Sequence, residues 1–216
     1  MSRAPDSRPA KTTRASRKVP EVRKRQLVEA AIACLAKHGM SGFTIANICA
    51  EAGISRGLIS HHFKGKEALL VAAYESLTAD LVPVASEDPR SDETPAATLL
   101  EVIERSFSEK AFKRSTLKAW LALWGETAGN GRLYALHRKR YGSYHRRLGA
   151  TMAALAEERG RSVDHDRLAT MLIALIDGLW LEWCIDETRV SAKTAMAACA
   201  ALLEPHLGPL DEKGSG

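Results

Sequence analysis

The sequence predicts an all-α protein, and three observations carry that prediction. Apolar residues recur at three- and four-residue steps through most of the chain, no stretch alternates apolar and polar residues over strand length, and the periodic stretches are punctuated by helix-capping and helix-stopping residues. With 216 residues, of which 45% are hydrophobic and 26% charged, the composition is that of a globular chain long enough for one large domain or two small ones.

Taken in order, residues 1–19 are rich in Ser, Thr, Pro, Arg and Lys and bury almost nothing, which predicts a flexible basic arm. From Val22, the residues Leu27, Ala31, Cys34, Leu35 and His38 recur at helical spacing until Gly39 ends the first helix. Thr44 is an N-cap for a short second helix carrying Ile45, Ile48 and Ala52, and Gly53 supplies the left-handed turn that other residues resist. Ser55 caps a third short helix, and Ile48, Ile54, Leu58 and Phe63 are assigned to a small core. Lys64 to Glu67 open a fourth helix, whose Leu69, Leu70, Ala73, Leu77 and Leu81 continue until Pro83. The acidic, proline-containing stretch 85–95 reads as a connection. Helices are expected over 96–112, 116–127, 133–158 and 164–186, and a last one from the Ser191 cap to Leu203. The expected organisation is an arm (1–19), a three-helix helix-turn-helix domain (20–70), a helical ligand-binding and dimerisation domain (71–210) and a disordered tail (211–216).

Charge and cysteine usage narrow the function. Residues 1–70 hold 13 Lys/Arg against 5 Asp/Glu, a net of +8, whereas the remainder is net −3. A basic first third suits a polyanion, because bound Lys and Arg release condensed counterions. Cys34, Cys49, Cys184 and Cys199 form no C-x-x-C pair and no Cys/His set at metal-ligand spacing, so they read as reduced core thiols. No metal site and no cofactor are predicted. The apolar stretch from Met171 to Ile185 is interrupted by Asp177 and Glu182, and no apolar run follows the basic start, so neither a membrane span nor a secretory signal is expected. The expected location is the cytoplasm.

The Gly53-Ile-Ser-Arg-Gly57 segment fits the G-x-S-x-G pattern of a serine hydrolase, with Ser55 as nucleophile. That elbow needs a buried strand before it, and the residues from Thr44 to Ala52 read as a capped helix, so no catalytic residue and no enzyme activity are predicted. A helix, a tight turn at Gly53-Ile54-Ser55 and a second helix form instead a helix-turn-helix, whose second helix enters the major groove of DNA.

The segment from Thr44 to Leu69 resembles the DNA-binding domain of the tetracycline-repressor (TetR) family of bacterial regulators, and the resemblance spans about residues 20–70. It implies a DNA-binding homodimer that responds to a small-molecule effector. The DNA-facing residues are then Thr44, Ser55, Arg56, Gly57, Ser60, His61, His62 and Lys66. Arg56 is long enough to donate two hydrogen bonds to guanine, Gly57 lets the backbone approach DNA, and Thr44, Ser60, His62 and Lys66 stand where the family contacts phosphates. The family carries alanine at the position of Cys49 and tyrosine at those of Ser60 and His62, so the tyrosine contacts do not carry over unchanged.

Ser60, with the segments Leu117 to Trp124 and Leu175 to Leu181, resembles a subgroup, the choline-responsive repressors of glycine betaine synthesis. All four tryptophans lie in the second part of the chain, and Trp120 and Trp124 share one helical face. Aromatic faces beside a carboxylate hold a quaternary ammonium ion without a hydrogen bond. The candidate ligand residues are Trp120, Trp124, Tyr141, Tyr144, Asp177 and Trp180, with Glu126 and Glu182 as further carboxylates. An efflux or catabolic repressor with an apolar effector is the alternative. The helix over 164–186 is apolar on both sides and pairs with the last helix as the expected dimer surface.

Overall fold

Leu27, Ala31, Cys34 and Leu35 lie on one side of the first helix and are buried there, and the same spacing of buried residues recurs along the chain. The computed structural model describes residues 14–81 and 94–211, which form nine helices and no strand. They are α1 (Arg14–His38), α2 (Ile45–Ala52), α3 (Arg56–His62), α4 (Lys66–Leu81), α5 (Pro95–Ser106), α6 (Arg114–Thr127), α7 (Gly131–Glu158), α8 (His165–Ile185) and α9 (Ala192–Leu207).

Capping chemistry sets most helix starts. Thr44, Thr94, Asn130, Asp164 and Ser191 each accept a hydrogen bond from a backbone N–H of the following turn, opening α2, α5, α7, α8 and α9. Pro95 is not the end of a connection but the first residue of α5, where its missing N–H costs nothing. The rest of the acidic connection, 82–93, lies outside the described residues, as do 1–13 of the expected arm and 212–216 of the expected tail.

Three helix ends and one domain boundary depart most from the sequence reading. Residues 14–19, read as arm, belong to α1, because a nucleated helix gains one hydrogen bond for each residue added. The helix expected over 96–112 stops at Ser106. The chain turns through 107–113, where the Ser108 hydroxyl donates to the Arg105 carbonyl at 2.9 Å and the Phe107 and Phe112 rings pack edge to face at 5.4 Å. The last helix continues past Leu203 and Pro205 to Leu207, because Arg159 donates to the Leu207 carbonyl at 2.7 Å and Arg161 to those of Pro205 and His206 at 3.2 Å. Finally, α4 crosses the expected domain boundary at residue 70 without interruption.

The first four helices pack as a head. α1 carries α2 and α4 on one side, and α2 meets α3. The loop between α1 and α2 is so tight that a Cβ on Gly42 would lie 2.4 Å from the His38 Cβ. Glu51 then ties α2 to α1, at 2.7 Å from Lys37 Nζ and 3.4 Å from His38 Nε2. In the head's core, Ile48, Ile59 and Phe63 are buried and Ile54 packs against them, but Leu58 is only half-buried because Ile59 occupies the inward position of α3.

The second part is a bundle in which α7 packs on α5 and α8, and α8 on α9. α6 lies between this bundle and the head and packs most extensively on α1. The tail of α1 and the middle of α4 therefore both reach the regulatory bundle. By length and composition α8 alone among the described helices suffices to cross a membrane, despite Asp177 and Glu182. Its apolarity has a different use in the fold: Leu168, Leu172, Ile176 and Trp180 are buried inside the bundle, and Met171, Leu181 and Ile185 stand exposed on the other side.

Candidate functional site

The turn between α2 and α3 is built on Gly53, whose φ of 63° and ψ of 36° lie in the left-handed region. Its N–H donates toward the Ala50 carbonyl at 3.4 Å, and that of Ile54 to the Cys49 carbonyl at 3.1 Å, so the chain reverses within two residues. α3 then starts with Arg56 and Gly57 at its exposed N-terminus. Of the eight residues read as DNA-facing, Thr44, Ser55, Arg56, Gly57, Ser60, His61 and Lys66 are exposed and His62 is half-buried.

The details bear on what these side chains can donate. Ser55 holds the N-cap backbone conformation but its hydroxyl makes no capping bond, contrary to the sequence reading, and is left free. Thr44 accepts from the Asn47 N–H at 3.2 Å, which leaves its own O–H proton to give. Asn47, which the sequence reading passed over, donates to the Gly42 carbonyl at 2.8 Å and fixes the approach to α2. A Cβ on Gly57 would meet only the Ser55 hydroxyl, at 4.0 Å, so packing within the chain does not require glycine there.

The aromatic residues of the second part converge on one small cavity. It is lined by Ser106 of α5, Trp120 of α6, Tyr141 and Tyr144 of α7, and Ile173, Ile176, Asp177 and Trp180 of α8. Five of the six candidate ligand residues are therefore on its wall. The sixth, Trp124, stands behind Trp120 with ring centroids 5.5 Å apart. Ser106 carried no signal in the sequence, and Ile173 and Ile176 only that of an apolar helix, because periodicity marks a buried face and not the neighbour it meets. The cavity has about 20 Å³ of room for the centre of a water-sized sphere, enough for about one water.

Its polar groups are unusually placed. The Trp180 indole N–H donates to the Ser106 carbonyl at 3.0 Å, whereas the Trp120 indole N–H is buried with no acceptor. Asp177 makes no hydrogen bond or ion pair among the described residues, and burial alone pushes its carboxyl from an ordinary 3.8 up to about 7. Burial, with Asp177 as the next cause, also pushes the Tyr141 and Tyr144 hydroxyls well above their ordinary range. The other acidic candidates are elsewhere. Glu182 is exposed beside Arg189 at 3.6 Å, and Glu126 lines a separate groove between α1 and α6. Trp183 packs on Phe112 at 4.4 Å, and the exposed Tyr134 ring faces the Arg138 guanidinium at 5.9 Å. Among the described residues no cluster of His, Cys, Asp and Glu is arranged to hold a metal ion.

Two family models match this chain: bacterial regulatory proteins of the tetR family over residues 27–73, and the C-terminal domain of BetI-type transcriptional repressors over residues 95–208. The HTH-type transcriptional regulator BetI of Cronobacter sakazakii is 32% identical over 193 residues, covering 86% of this chain and 91% of that one. The chain belongs to the TetR family, with a BetI-type C-terminal domain. Among solved structures, a transcriptional regulator from Pseudomonas aeruginosa PAO1 superposes with a TM-score of 0.76 at 35% identity, covering 91% of this chain and 95% of that one. A regulator from Saccharomonospora viridis, solved in complex with choline, has the same fold with a TM-score of 0.73 at 22% identity, over 85% of this chain and 96% of that one. This TetR-family chain is a DNA-binding transcriptional repressor and not an enzyme. The G-x-S-x-G pattern falls across a helix-turn-helix, where Ser55 has no strand behind it.

The Asp177 site has a consequence for the stability of this repressor. A carboxyl raised from 3.8 to about 7 on folding binds more protons in the folded than in the unfolded state between those values. Its contribution to stability is complete below about pH 4 and is lost as pH rises through about 7. In urea unfolding the Asp177→Asn protein is expected to lose less stability than wild type between about pH 4.5 and 6.5, where about one proton's worth of difference in slope separates the curves. Parallel curves refute the buried carboxylate.

Proposed function

We propose that the chain represses transcription in the cytoplasm as a homodimer on a palindromic DNA site, and that a small organic cation, choline or betaine aldehyde being the first to test, releases it. The observation that carries the ligand class is Asp177: a carboxylate with no cation paired to it among the described residues, on the wall of a cavity made of Trp120, Tyr141, Tyr144 and Trp180. A quaternary ammonium supplies the missing charge, and the ring faces attract it at about 0.5–2 kcal/mol each once dry. The buried Trp120 N–H offers a donor to an oxygen of the ligand. The choline bound by the Saccharomonospora viridis regulator supports the same class for this chain.

For DNA, we assign base reading to Arg56 and phosphate contacts to Thr44, Ser60, His62 and Lys66, with Ser55, Gly57 and His61 beside them. Two recognition helices of a dimer meet successive major grooves about 34 Å apart, so a small change in their spacing prevents simultaneous docking. For the dimer, the outward face of α8 is the best surface. Met171, Ala174, Gly178, Leu181 and Ile185 follow a heptad spacing and are exposed, with Ile185 at 68%. Leu172, by contrast, is fully buried in the subunit itself and belongs to its core.

Arg56→Ala is expected to weaken binding to a selected DNA site by about 1–3 kcal/mol and relax one base preference, whereas Lys66→Ala weakens all sequences together and flattens the salt dependence. An unchanged base preference in the Arg56 variant removes it from base reading. Leu181→Glu with Ile185→Glu is expected to leave the helical content intact and convert a dimer to monomers in sedimentation; a wild type that sediments as a monomer at micromolar concentration sinks the dimer.

Choline is expected to change tryptophan emission and lower DNA affinity. Because Asp177 must be ionised to pair with it, choline affinity falls up to about tenfold per unit as pH drops below about 7, and Asp177→Asn flattens that profile. An equal response to 3,3-dimethylbutanol, the uncharged isostere, assigns an apolar effector instead.

A further inference from the structure

The cavity is too small for a quaternary ammonium ion as it stands, with about 20 Å³ of room. A ligand that enters must therefore push part of the wall aside, and the wall is not uniformly held. Trp180 is tethered through its N–H to the Ser106 carbonyl at 3.0 Å. Trp120 has no such tether, since its N–H has no acceptor.

Two of the wall rings touch a pair of residues outside the cavity. The edge of Trp120 packs against Tyr74 with ring centroids 5.4 Å apart at 76°. Tyr141 stacks on His137 with centroids 4.2 Å apart at 29°. Tyr74 and His137 are in turn joined to each other, hydroxyl to Nδ1, at 2.7 Å. The four side chains form a chain of contacts, Trp120 to Tyr74 to His137 to Tyr141, whose two ends both line the cavity and which belongs to three helices, α4, α6 and α7. Tyr74 is fully buried, so its hydroxyl has no water to take the place of His137. Burial also holds His137 below its ordinary range, which favours the neutral imidazole, and its Nδ1 shares a hydrogen bond with the Tyr74 hydroxyl. The charged groups acting on Tyr74 are Asp177 from α8 and Arg140 from α7.

Tyr74 stands on α4, the helix that starts at Lys66 immediately after the recognition helix and its turn. One turn beyond it, the buried Thr78 hydroxyl lies 2.9 Å from the Tyr74 carbonyl and 3.0 Å from that of Glu75. Back-bonding of this kind competes with the helix's own ladder and bends helices. A displaced wall ring is thus in contact with the one described hydrogen bond between an α4 side chain and α7, next to a place where α4 can bend.

We propose that the Tyr74–His137 pair is the relay between the ligand cavity and the DNA-binding head: it holds α4 in the DNA-competent position, and displacement of Trp120 or Tyr141 by a ligand breaks that hold. The ligand arm of this proposal rests on the organic-cation reading above. The relay itself concerns α4 and the head, and is open to test without any ligand.

The experiment uses the full chain and a DNA site selected in vitro from a random pool. Tyr74→Phe keeps the ring and deletes the hydroxyl, His137→Leu deletes the acceptor, and the double variant completes a cycle, with thermal unfolding confirming that each folds. Either single change is expected to alter ligand-free DNA affinity by about threefold or more, and the double change to add almost nothing, because the two groups act as one unit. With choline chloride present, wild type is expected to lose about tenfold in DNA affinity. The variants are expected to bind choline with affinity near that of wild type, read from tryptophan emission, yet lose most of that response. Additive single effects, or a full choline response in both single variants, overturn the relay. If choline moves neither the emission nor the DNA affinity of wild type, the organic-cation reading fails, and the ligand-free cycle alone decides the relay. A single variant that fails to fold is replaced by Tyr74→Leu or His137→Gln in the same cycle.

Discussion

A half-buried carboxylate among aromatic and aliphatic side chains, with no cation paired to it among the described residues, is the constraint around which the cavity of the regulatory domain is arranged. An ionised Asp177 in that setting loses hydration without regaining it from a partner, and its carboxyl is pushed up to about 7 as a result. Several other carboxylates have a cation beside them: Glu51 has Lys37 and His38, Glu182 has Arg189 and Glu187 has Arg114. The contrast is chemical. At Asp177 ring faces stand around the charge instead of a counter-ion. Such a site is comfortable when the carboxyl is protonated or when a cation arrives from outside, and the ligand-free form near neutral pH lies between those two states.

The head and the bundle cannot be independent bodies. α2 and α3 are 8 and 7 residues long, too short to persist as helices without tertiary support. That support comes from α1 and α4, both of which extend into the regulatory part, where α1 packs on α6 and the middle of α4 meets α7. The elements that hold the recognition helix are therefore the same elements that rest on Trp120, Tyr141 and His137. Coupling between the two parts follows from the small size of the head, before any particular contact is considered.

Much of this was legible in the sequence, and the limits have physical causes. Thr44, Gly53, Asp164 and Ser191 mark helix ends because their chemistry is local: a cap bonds to backbone within its own turn. The clustering of the aromatic residues was legible because two tryptophans four apart must share a face. What stayed hidden was set by distant partners. The arginines that carry α9 past Pro205 come from the far end of α7 and the loop after it, and Leu58 yields the inward position to Ile59 only because α3 meets α2 at a particular rotation. Tyr74 left one trace, as a polar-tipped ring on the apolar stripe between Leu70 and Leu77, but its partner His137 is 63 residues away and no spacing rule links them.

α8 shows why the signal should leave the cavity by the other side. Its inward face gives the cavity Ile173, Ile176, Asp177 and Trp180, and its outward face carries Met171, Leu181 and Ile185. If the outward face is covered by a second copy, a wall displacement on this side has to deform an interface shared by two subunits, with packed side chains on both faces of one helix. The opposite wall is made of Trp120 and Tyr141, which lie on helices that pack on α1 and α4 and so lead toward the head. With Trp180 tethered and Trp120 not, a ligand that needs room meets less resistance toward the DNA-binding side. The direction of transmission thus follows from which wall is held, and not from the chemistry of the ligand.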